Sequence, residues 1–321
     1  MRITTDPEEA ARSLAEGGVV AIPTETVYGL GALADSPDAV AGVYAAKGRP
    51  ADHPLIVHVA SADAVGSWTA HMPDYALRLG GAYWPGPLTL VLPRSARARD
   101  FITGTQDTVA VRVPGNALTR EVIRRVGEIL GDPHVGIAAP SANRFGRVSP
   151  TRAQDVVSEL ADVLPDGLVL DGGPSTVGVE STIVDCSGER PVILRPGQIG
   201  RDEIEDTAGM PCGERSDVRA PGTLAAHYSP AARVVIVDAD SLPTQRADHG
   251  GLIAFASIPT PRGMVRLTAP DTSAHYAASL YRALREADAL NLTTVYAVPP
   301  KGAGVEAAIR DRLERAAHPS T

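Results

Sequence analysis

The sequence predicts an α/β protein with two domains, and three observations lead to this prediction. Residues 1–208 mix short runs of aliphatic and β-branched residues with helical patterns. Residues 209–231 are rich in Pro, Gly and polar side chains, which is typical of a linker. Residues 232–321 return to strand and helix patterns on a smaller scale. We therefore expect a larger domain at 1–208, a linker at 209–231 and a small second domain at 232–321.

The first domain is expected to contain a mixed, twisted sheet with helices. The segment Thr5–Glu9 combines an N-cap, a proline at the first helical position and acidic residues in the first turn, and Gly17-Gly18 would end that helix. Because strands and helices do not alternate strictly, the sheet should be mixed. The strands are predicted at Val19–Ile22, Leu55–Val59, Leu88–Leu92, Val109–Val113, Gly136–Ala139, Leu168–Leu170, Thr182–Asp185 and Val192–Leu194. Further helices are predicted at Ser36–Ala46, Pro73–Gly80, Ala117–Glu128 and Arg152–Leu160.

The second domain shows the order strand, strand, helix, strand, helix. The elements are predicted at Arg233–Val237, Leu252–Phe255, Thr272–Asp288, Thr293–Val298 and Gly304–Ala317. This order over about ninety residues favours a small open α/β sheet of the Rossmann-like kind. The segment contains no GxGxxG, so the pattern does not predict nucleotide binding there.

Composition argues against several classes of protein. The net charge of -8 and the aromatic content of 4% argue against a surface that stacks nucleic-acid bases, although a local basic pocket stays compatible with them. Cys186 and Cys212 form no CxxC pair, which argues against a disulfide framework or a cysteine zinc site. The first residues are acidic and no apolar run has the length of a membrane span, so we expect a cytoplasmic protein.

Two polar clusters lie early in the first domain. Pro23–Gly31 follows a predicted strand and places hydroxyls and a carboxylate between a proline and two glycines, either to meet a polar ligand or as an ordinary turn. Lys47 and Arg49 follow a predicted helix, where they either complement the helix dipole or converge on phosphate oxygens. His58 falls in the middle of a strand, a position that usually holds a partly buried histidine.

Two further clusters follow later in the same domain. Ser141, Asn143 and Ser149 lie in a loop that also contains two arginines, so the loop could bind an anion or simply cap a helix. Glu180-Ser181-Thr182 leads into one strand and Arg195 ends another. These two segments could place Ser181 and Arg195 over one site, or they could be ordinary hairpin termini.

Taken together, the clusters resemble a known family. Several motifs, in order over about 200 residues, are similar to the YrdC-type domain of threonylcarbamoyl-AMP synthases, and the combination Lys-x-Arg with Ser-x-Asn is a signature of that family. The motifs are Pro23–Gly31, Lys47–Pro50, Pro54–Val59, Trp84–Thr89, Val111–Pro114, Pro140–Asn143 and Glu180–Asp185. Ala220–Pro230 resembles the linker of the long, two-domain form, and Gly302–Ala317 resembles the end of its C-terminal domain.

The resemblance implies an activity. In this family threonine captures bicarbonate, and the carbamate then attacks the α-phosphate of ATP, so that threonylcarbamoyl-AMP and pyrophosphate form. It implies Mg²⁺ on the ATP phosphates, and transfer of the product to a tRNA-threonylcarbamoyl transferase complex. A weak contact with tRNA is compatible with it. It makes the enzyme a nucleotidyltransferase without a covalent nucleophile, so we expect Cys186 to be a small buried residue.

The resemblance also assigns site residues. Lys47 and Arg49 match catalytic positions. The positions that match threonine-binding residues are Thr26, His58, Arg112, Ala139 and Ser181. The positions that match ATP-binding residues are Arg49, His53, Thr108, Ser141, Asn143, Ser149, Arg195 and Tyr228. Arg112 is the natural partner of the amino-acid carboxylate, and the position of Tyr228 implies that the linker folds back over the nucleotide as a lid.

Three alternatives stay open at this point. A related domain forms carbamoyl-adenylate from carbamoyl phosphate, but in proteins with additional modules, including zinc fingers, which two cysteines cannot form. A non-catalytic RNA-binding module would show salt-dependent tRNA binding without release of pyrophosphate. A scaffold without an active site fits least well, because hydroxyl and Arg residues are dense at the predicted strand ends.

Overall fold

A computed structural model describes residues 1–222, 228–242 and 250–318. The first domain is built around a sheet with the strand order β1-β8-β2-β3-β7-β4-β6-β5-β9-β10, in which parallel and antiparallel pairs both occur. The strands are β1 Arg2–Thr4, β2 Val20–Ile22, β3 Gly29–Leu33, β4 Ile56–Val59, β5 Leu88–Pro93, β6 Thr108–Arg112, β7 Gly136–Ala138, β8 Leu168–Leu170, β9 Thr182–Asp185 and β10 Val192–Arg195. The predicted mixed sheet is confirmed.

Helices cover both faces of this sheet. They are α1 Pro7–Ala15, α2 Pro37–Lys47, α3 Val65–Trp68, α4 Asp74–Tyr83, α5 Asp100–Thr103, α6 Ala117–Leu130, α7 Ala153–Leu160 and α8 Arg201–Ala208. Leu14 of α1 and Val126 of α6 pack with Ile22 and Ile137 on one face, while Val43 of α2 belongs to a separate core on the other. The cap predicted for α1 is confirmed, since Asp6 accepts a hydrogen bond from the Glu8 amide at 2.9 Å.

The second domain contains a fully parallel sheet with the order β11-β14-β12-β13. Its strands are β11 Arg233–Ile236, β12 Gly250–Ile253, β13 Val265–Thr268 and β14 Thr294–Ala297, and its helices are α9 Ser273–Ala289 and α10 Val305–Ala317. Parallel strands with covering helices confirm the Rossmann-like α/β class. The predicted order of elements is wrong in one respect, because β13 lies between β12 and α9.

Several short elements of the first domain were not predicted, and β3 is the most instructive. It grows directly out of the polar Pro23–Gly31 segment and contains two glycines, which are poor strand formers. The packing explains Gly31, because a Cβ there would lie 2.9 Å from Ile137 Cγ2 and 3.2 Å from the Val20 carbonyl oxygen. The segment therefore runs into the middle of the sheet.

The linker returns to the first domain. In its described parts, residues 209–222 and 228–231, it contains no helix or strand, and Ser229 forms an isolated bridge with Arg147 of the first domain. The residues Thr223–His227 of the linker motif lie outside the described residues.

Candidate active site

A small cavity of about 50 Å³ lies where the ends of several strands of the first domain meet the linker. The loop between β2 and β3 forms one wall, and the residues after β7 and before β9 form others. Pro221, Gly222 and Tyr228 of the linker close one side of it. Four of the polar clusters seen in the sequence therefore meet in one place.

Arg49 and Arg195 are the distinctive charged groups of this cavity. They are 8% and 3% exposed. Arg195 donates to the Ser181 carbonyl at 2.9 Å and to the Pro221 carbonyl at 3.0 Å, and Arg49 donates to the Pro54 carbonyl at 3.0 Å. Within the described part of the chain, neither guanidinium has a carboxylate within the 4.0 Å of an ion pair, and Arg49 Nε has no hydrogen-bond partner.

Burial lowers the pKa of both groups, that of Arg49 to about 10, so both stay protonated near neutral pH. A buried cation without a counter-ion is costly, because it loses hydration that no other charge replaces. Two such cations in one cavity indicate an anionic ligand.

Arg112 lines the same cavity but is already compensated. It is 3% exposed, and its Nη2 donates to Glu25 Oε1 at 2.6 Å. Its Nη1 donates to Thr26 Oγ1 at 3.0 Å, and its Nε donates to the Gly86 carbonyl at 3.2 Å. Burial raises the pKa of Glu25, but Arg112 and the backbone amide of Gly115 outweigh it and hold the pKa below its usual value. Arg112 therefore faces the cavity with its charge already paired, and Glu25 is not among the lining residues.

The five predicted threonine-binding positions, Thr26, His58, Arg112, Ala139 and Ser181, all line this cavity. Thr26 Oγ1 lies 2.8 Å from Thr24 Oγ1, and Ser181 Oγ lies 2.8 Å from Thr89 Oγ1, so both hydroxyls are oriented by neighbours. Burial, followed by the charge of Arg112, lowers the pKa of His58 to about 3. His58 is therefore a neutral group in the wall of the cavity.

The predicted ATP-binding positions divide into two groups. Arg49, Ser141, Arg195 and Tyr228 line the cavity, whereas His53, Thr108, Asn143 and Ser149 are not among its lining residues. Thr108 begins β6 and Arg112 ends it, so the two lie at opposite ends of the strand. The His53 ring contacts the Phe145 ring with centroids 5.4 Å apart, next to Arg49.

The loops around the cavity are stabilised by Lys47, Asn143 and Ser149, which do not line it themselves. Lys47 is fully buried, is not among the lining residues, and its Nζ donates to the carbonyl oxygens of Ser141 and Asn143. Asn143 Nδ2 donates to the carbonyls of Arg144 at 2.7 Å and Arg147 at 2.9 Å. In this arrangement Lys47 fixes the loop that presents Ser141, and its assignment as a catalytic residue stays a prediction.

Glu180 is a cavity residue that the sequence did not identify. It is 6% exposed, and Ser149 Oγ donates to its Oε1 at 2.7 Å. Its Oε2 accepts from Tyr281 Oη at 2.8 Å and from Arg312 Nε at 2.7 Å. Only its place before Ser181 in the fourth cluster hinted at the site, because Arg312 lies 132 residues further along the chain.

Glu180 should make the stability of the fold depend on pH. Burial alone would raise its pKa, but Arg312 and Arg195 lower it to about 2, from 4.5 for a free Glu. A carboxyl group with a depressed pKa stabilises the fold above its unfolded-state pKa and loses this contribution as the pH falls towards the folded-state pKa. We therefore expect Glu180→Gln to lose less free energy of unfolding than the parent between pH 5 and pH 3, in denaturant titrations at both values. Equal losses in the two proteins would contradict the assignment.

Cys186 lies in the hydrophobic core, is fully buried, and burial raises the pKa of its thiol. It is not among the residues that line the cavity. We expect Cys186→Ser to keep turnover within a few-fold of the parent, because a thiol of raised pKa is a poor nucleophile. The steady-state rate at saturating substrates measures this, with Cys186→Ala as the variant that adds no buried hydroxyl. A larger loss in both variants would show that the thiol takes part in the reaction.

The described residues contain neither a membrane span nor a cluster of metal-ligating side chains. No helix of the described ranges, 1–222, 228–242 and 250–318, is long and apolar enough to cross a membrane. The same ranges hold no group of three or more His, Cys, Asp or Glu side chains that could bind a metal ion.

Comparisons with known proteins give the family context. A family model described as telomere recombination, Sua5_yciO_yrdC, matches residues 12–197, and one described as the C-terminal domain of threonylcarbamoyl-AMP synthase matches residues 196–318. The chain is 37% identical to the threonylcarbamoyl-AMP synthase of Pyrococcus abyssi, with 96% of this chain and 92% of that protein covered. It is also 37% identical to the threonylcarbamoyl-AMP synthase of Bacillus subtilis, with 98% and 94% covered. The crystal structure of P. abyssi Sua5 complexed with L-threonine superposes with a TM-score of 0.84 at 35% identity, covering 97% of this chain and 94% of that one.

Proposed function

The chain belongs to the threonylcarbamoyl-AMP synthase family, and on that basis we propose that it converts L-threonine, bicarbonate and ATP into threonylcarbamoyl-AMP and pyrophosphate. The observation that supports this most directly is the pair of buried guanidinium groups, Arg49 and Arg195, that face one cavity without a carboxylate partner in the described part of the chain. Such groups need an anionic ligand to offset their burial.

The charges of the cavity suit two different reactants. Arg49 and Arg195 form no ion pair, and Glu180 near Arg195 is already paired with Arg312, so the positive charge of the two arginines matches the phosphates of ATP. Arg112 lines the cavity and matches the carboxylate of an amino acid, while its own charge is paired with Glu25, which is not among the lining residues. We assign threonine to the side of Arg112, with Thr26, His58, Ala139 and Ser181, and the nucleotide to the side of Arg49, Ser141, Arg195 and Tyr228.

The proposed reaction has two steps. The amine nitrogen of threonine forms a bond to the carbon of bicarbonate, and water is lost, which leaves a carbamate. A carbamate oxygen then attacks the α-phosphorus of ATP, the bond from that phosphorus to the bridging oxygen of the β-phosphate breaks, and pyrophosphate leaves. Both reactants are anions in the second step, so positioning and charge neutralisation by the cavity arginines are the contribution we expect from the protein. In this scheme the enzyme is a nucleotidyltransferase.

We propose that Mg²⁺ enters as part of the nucleotide substrate. Glu180 is the carboxylate among the lining residues, and Ser149, Tyr281 and Arg312 already engage both of its oxygens. The phosphates are therefore the expected ligands of the ion, which would neutralise part of their charge.

The linker is the part of the chain that we expect to cover the cavity during the reaction. Tyr228, Pro221 and Gly222 lie against the cavity, which supports a lid that keeps water from the mixed anhydride formed in the reaction. We propose that the product passes to a tRNA-threonylcarbamoyl transferase complex. A cytoplasmic location belongs to the same proposal, because ATP, threonine and tRNA meet in that compartment.

The test is release of pyrophosphate from ATP and bicarbonate by the purified full chain. Threonine should support turnover at least about ten-fold faster than serine, because a cavity that packs one methyl group discriminates by roughly 10- to 200-fold. Reactions with carbamoyl phosphate in place of threonine and bicarbonate test the carbamoyl-adenylate alternative. Turnover in that reaction alone, or salt-dependent tRNA binding with no pyrophosphate in any reaction, would overturn the proposal.

A further inference from the structure

We propose that Arg312 and Tyr281 of the second domain are positioning residues for the nucleotide half of the site, acting through Glu180. This inference rests on the function proposed above and gives the second domain a part in it. The two side chains neutralise and orient a carboxylate that would otherwise face the anionic substrates.

Arg312 is an unusual residue for the helix of a small domain. It lies in α10 and is fully buried. Its Nε donates to Glu180 Oε2 at 2.7 Å, its Nη2 donates to the Pro196 carbonyl at 3.0 Å, and its Nη1 pairs with the neighbouring Asp311. Two of its three contacts therefore reach the first domain, one at a cavity residue and one at the residue that follows Arg195.

Tyr281 of α9 reaches the same carboxylate from a second helix. Its Oη donates to Glu180 Oε2 at 2.8 Å, and its ring stacks on Tyr228 with centroids 5.5 Å apart and planes at 27°. The guanidinium of Arg312 lies 5.2 Å from the centroid of the Tyr228 ring. The linker tyrosine that lines the cavity is thus held by the same two residues that hold Glu180.

The negative charge of Glu180 is the reason why these contacts matter for the nucleotide. This carboxylate lines a cavity whose proposed substrates, ATP and a carbamate, are both negative. Left alone, a buried carboxylate there would repel phosphate, and the repulsion would be strong because water is excluded. The positive charge of Arg312 offsets that of the ionised Glu180, which can then accept a hydrogen bond from Ser149 Oγ, one of the predicted ATP-binding positions, without repelling phosphate.

The experiment is a cycle of variants read out by ATP affinity and by kinetics. We expect Arg312→Gln to raise the dissociation constant and the KM for ATP by about 10- to 100-fold, with a much smaller change in the KM for threonine. The Glu180→Gln/Arg312→Gln double variant should return the ATP affinity to within about five-fold of the parent, since the repelling carboxylate is gone. The matched control is Arg285→Gln, which removes two contacts between the domains, the ion pair to Glu159 at 3.1 Å and the hydrogen bond to the Val148 carbonyl, but does not touch Glu180 or line the cavity. It should leave ATP affinity unchanged.

A second variant covers the case in which Arg312→Gln does not fold. Tyr281→Phe keeps the ring stacked on Tyr228 and removes only the hydrogen bond to Glu180, so we expect a rise of about three- to ten-fold in the KM for ATP at unchanged kcat. Equal effects of Arg312→Gln and Arg285→Gln would overturn the inference, and so would a double variant that recovers no ATP affinity. ATP titrations without threonine measure these effects even if the chain releases no pyrophosphate, a result that would count against the proposed function alone.

Discussion

Arg49→Gln is expected to lower kcat/KM for threonine-dependent release of pyrophosphate by about 10³-fold, while the melting temperature stays the same or rises. The guanidinium is 8% exposed, and no carboxylate of the described residues forms an ion pair with it. Removing it takes away a cation that the transition state needs and also a buried charge that the empty fold must tolerate. Activity should therefore fall while stability stays the same or rises, as expected of a binding group whose buried charge destabilises the ligand-free protein.

The measurement is a pair of assays on each variant, steady-state kinetics and thermal unfolding without substrate. Arg124→Gln is the control, because Arg124 is 55% exposed on α6, pairs with Glu128 on the same helix and lies outside the cavity. It should change neither quantity appreciably. An Arg49→Gln protein within ten-fold of parental activity would contradict the assignment of Arg49 to the phosphates. A large drop in its melting temperature would contradict the claim that its charge is uncompensated.

Most of the strands, and the polar residues at their ends, could be predicted from local sequence. Runs such as Ile56–Val59 and Thr182–Asp185 are short, apolar and bounded by turn residues, so pattern alone places them. Polar side chains at the ends of strands then meet around one cavity, as Thr26 after β2, Arg112 at the end of β6 and Ser181 before β9 do. The grouping of cationic residues into one site needed the family resemblance, because each cluster alone fits an ordinary turn.

Two of the missed strands depend on tertiary contacts that local sequence does not show. β3 begins with Gly-Leu-Gly, and only the close approach of Ile137 explains why glycine is needed at Gly31. Strand β13 is half exposed and contains Arg266, whose guanidinium donates to the carbonyls of Ala254 and Phe255. Neither feature appears in a hydrophobic pattern.

The sequence also does not show which arginines form ion pairs with carboxylates. Arg112 and Glu25 are 87 residues apart, and Arg312 and Glu180 are 132 apart, so only the fold shows which cations are paired. This distinction changes what each residue can do. An arginine in an ion pair adds hydrogen-bond donors of fixed orientation to the site. An arginine without an ion pair also adds a net positive charge that attracts an anionic ligand. The contacts in the fold also distinguish Lys47 from Arg49, two residues away. Lys47 donates to two loop carbonyls, whereas Arg49 lines the cavity.

A double variant of the Arg112–Glu25 pair is expected to recover the stability that each single variant loses, but not the activity. Both side chains are buried, at 4% and 12% exposure, and their atoms lie 2.6 Å apart. Removing one partner of a buried pair leaves the other charge uncompensated, so Arg112→Gln should cost about 3 to 5 kcal/mol of unfolding free energy. Glu25→Gln should be destabilising for the same reason. The double variant replaces an ion pair with two neutral groups of similar shape, and it should return to within about 1 kcal/mol of the parent.

Activity should not follow the same cycle. Arg112 is the proposed partner of the threonine carboxylate, so kcat/KM for threonine should fall by about 10²- to 10³-fold in Arg112→Gln and in the double variant alike. Denaturant unfolding and threonine-dependent kinetics on the four proteins measure both quantities, and the exposed pair Arg124–Glu128 provides a matched cycle in which neither coupling is expected. If the double variant regained threonine turnover together with stability, Arg112 would be a structural residue. The amino acid would then have to be bound by another group of the cavity. If stability failed to recover, the pair would not be the compensated unit that distinguishes Arg112 from Arg49 and Arg195.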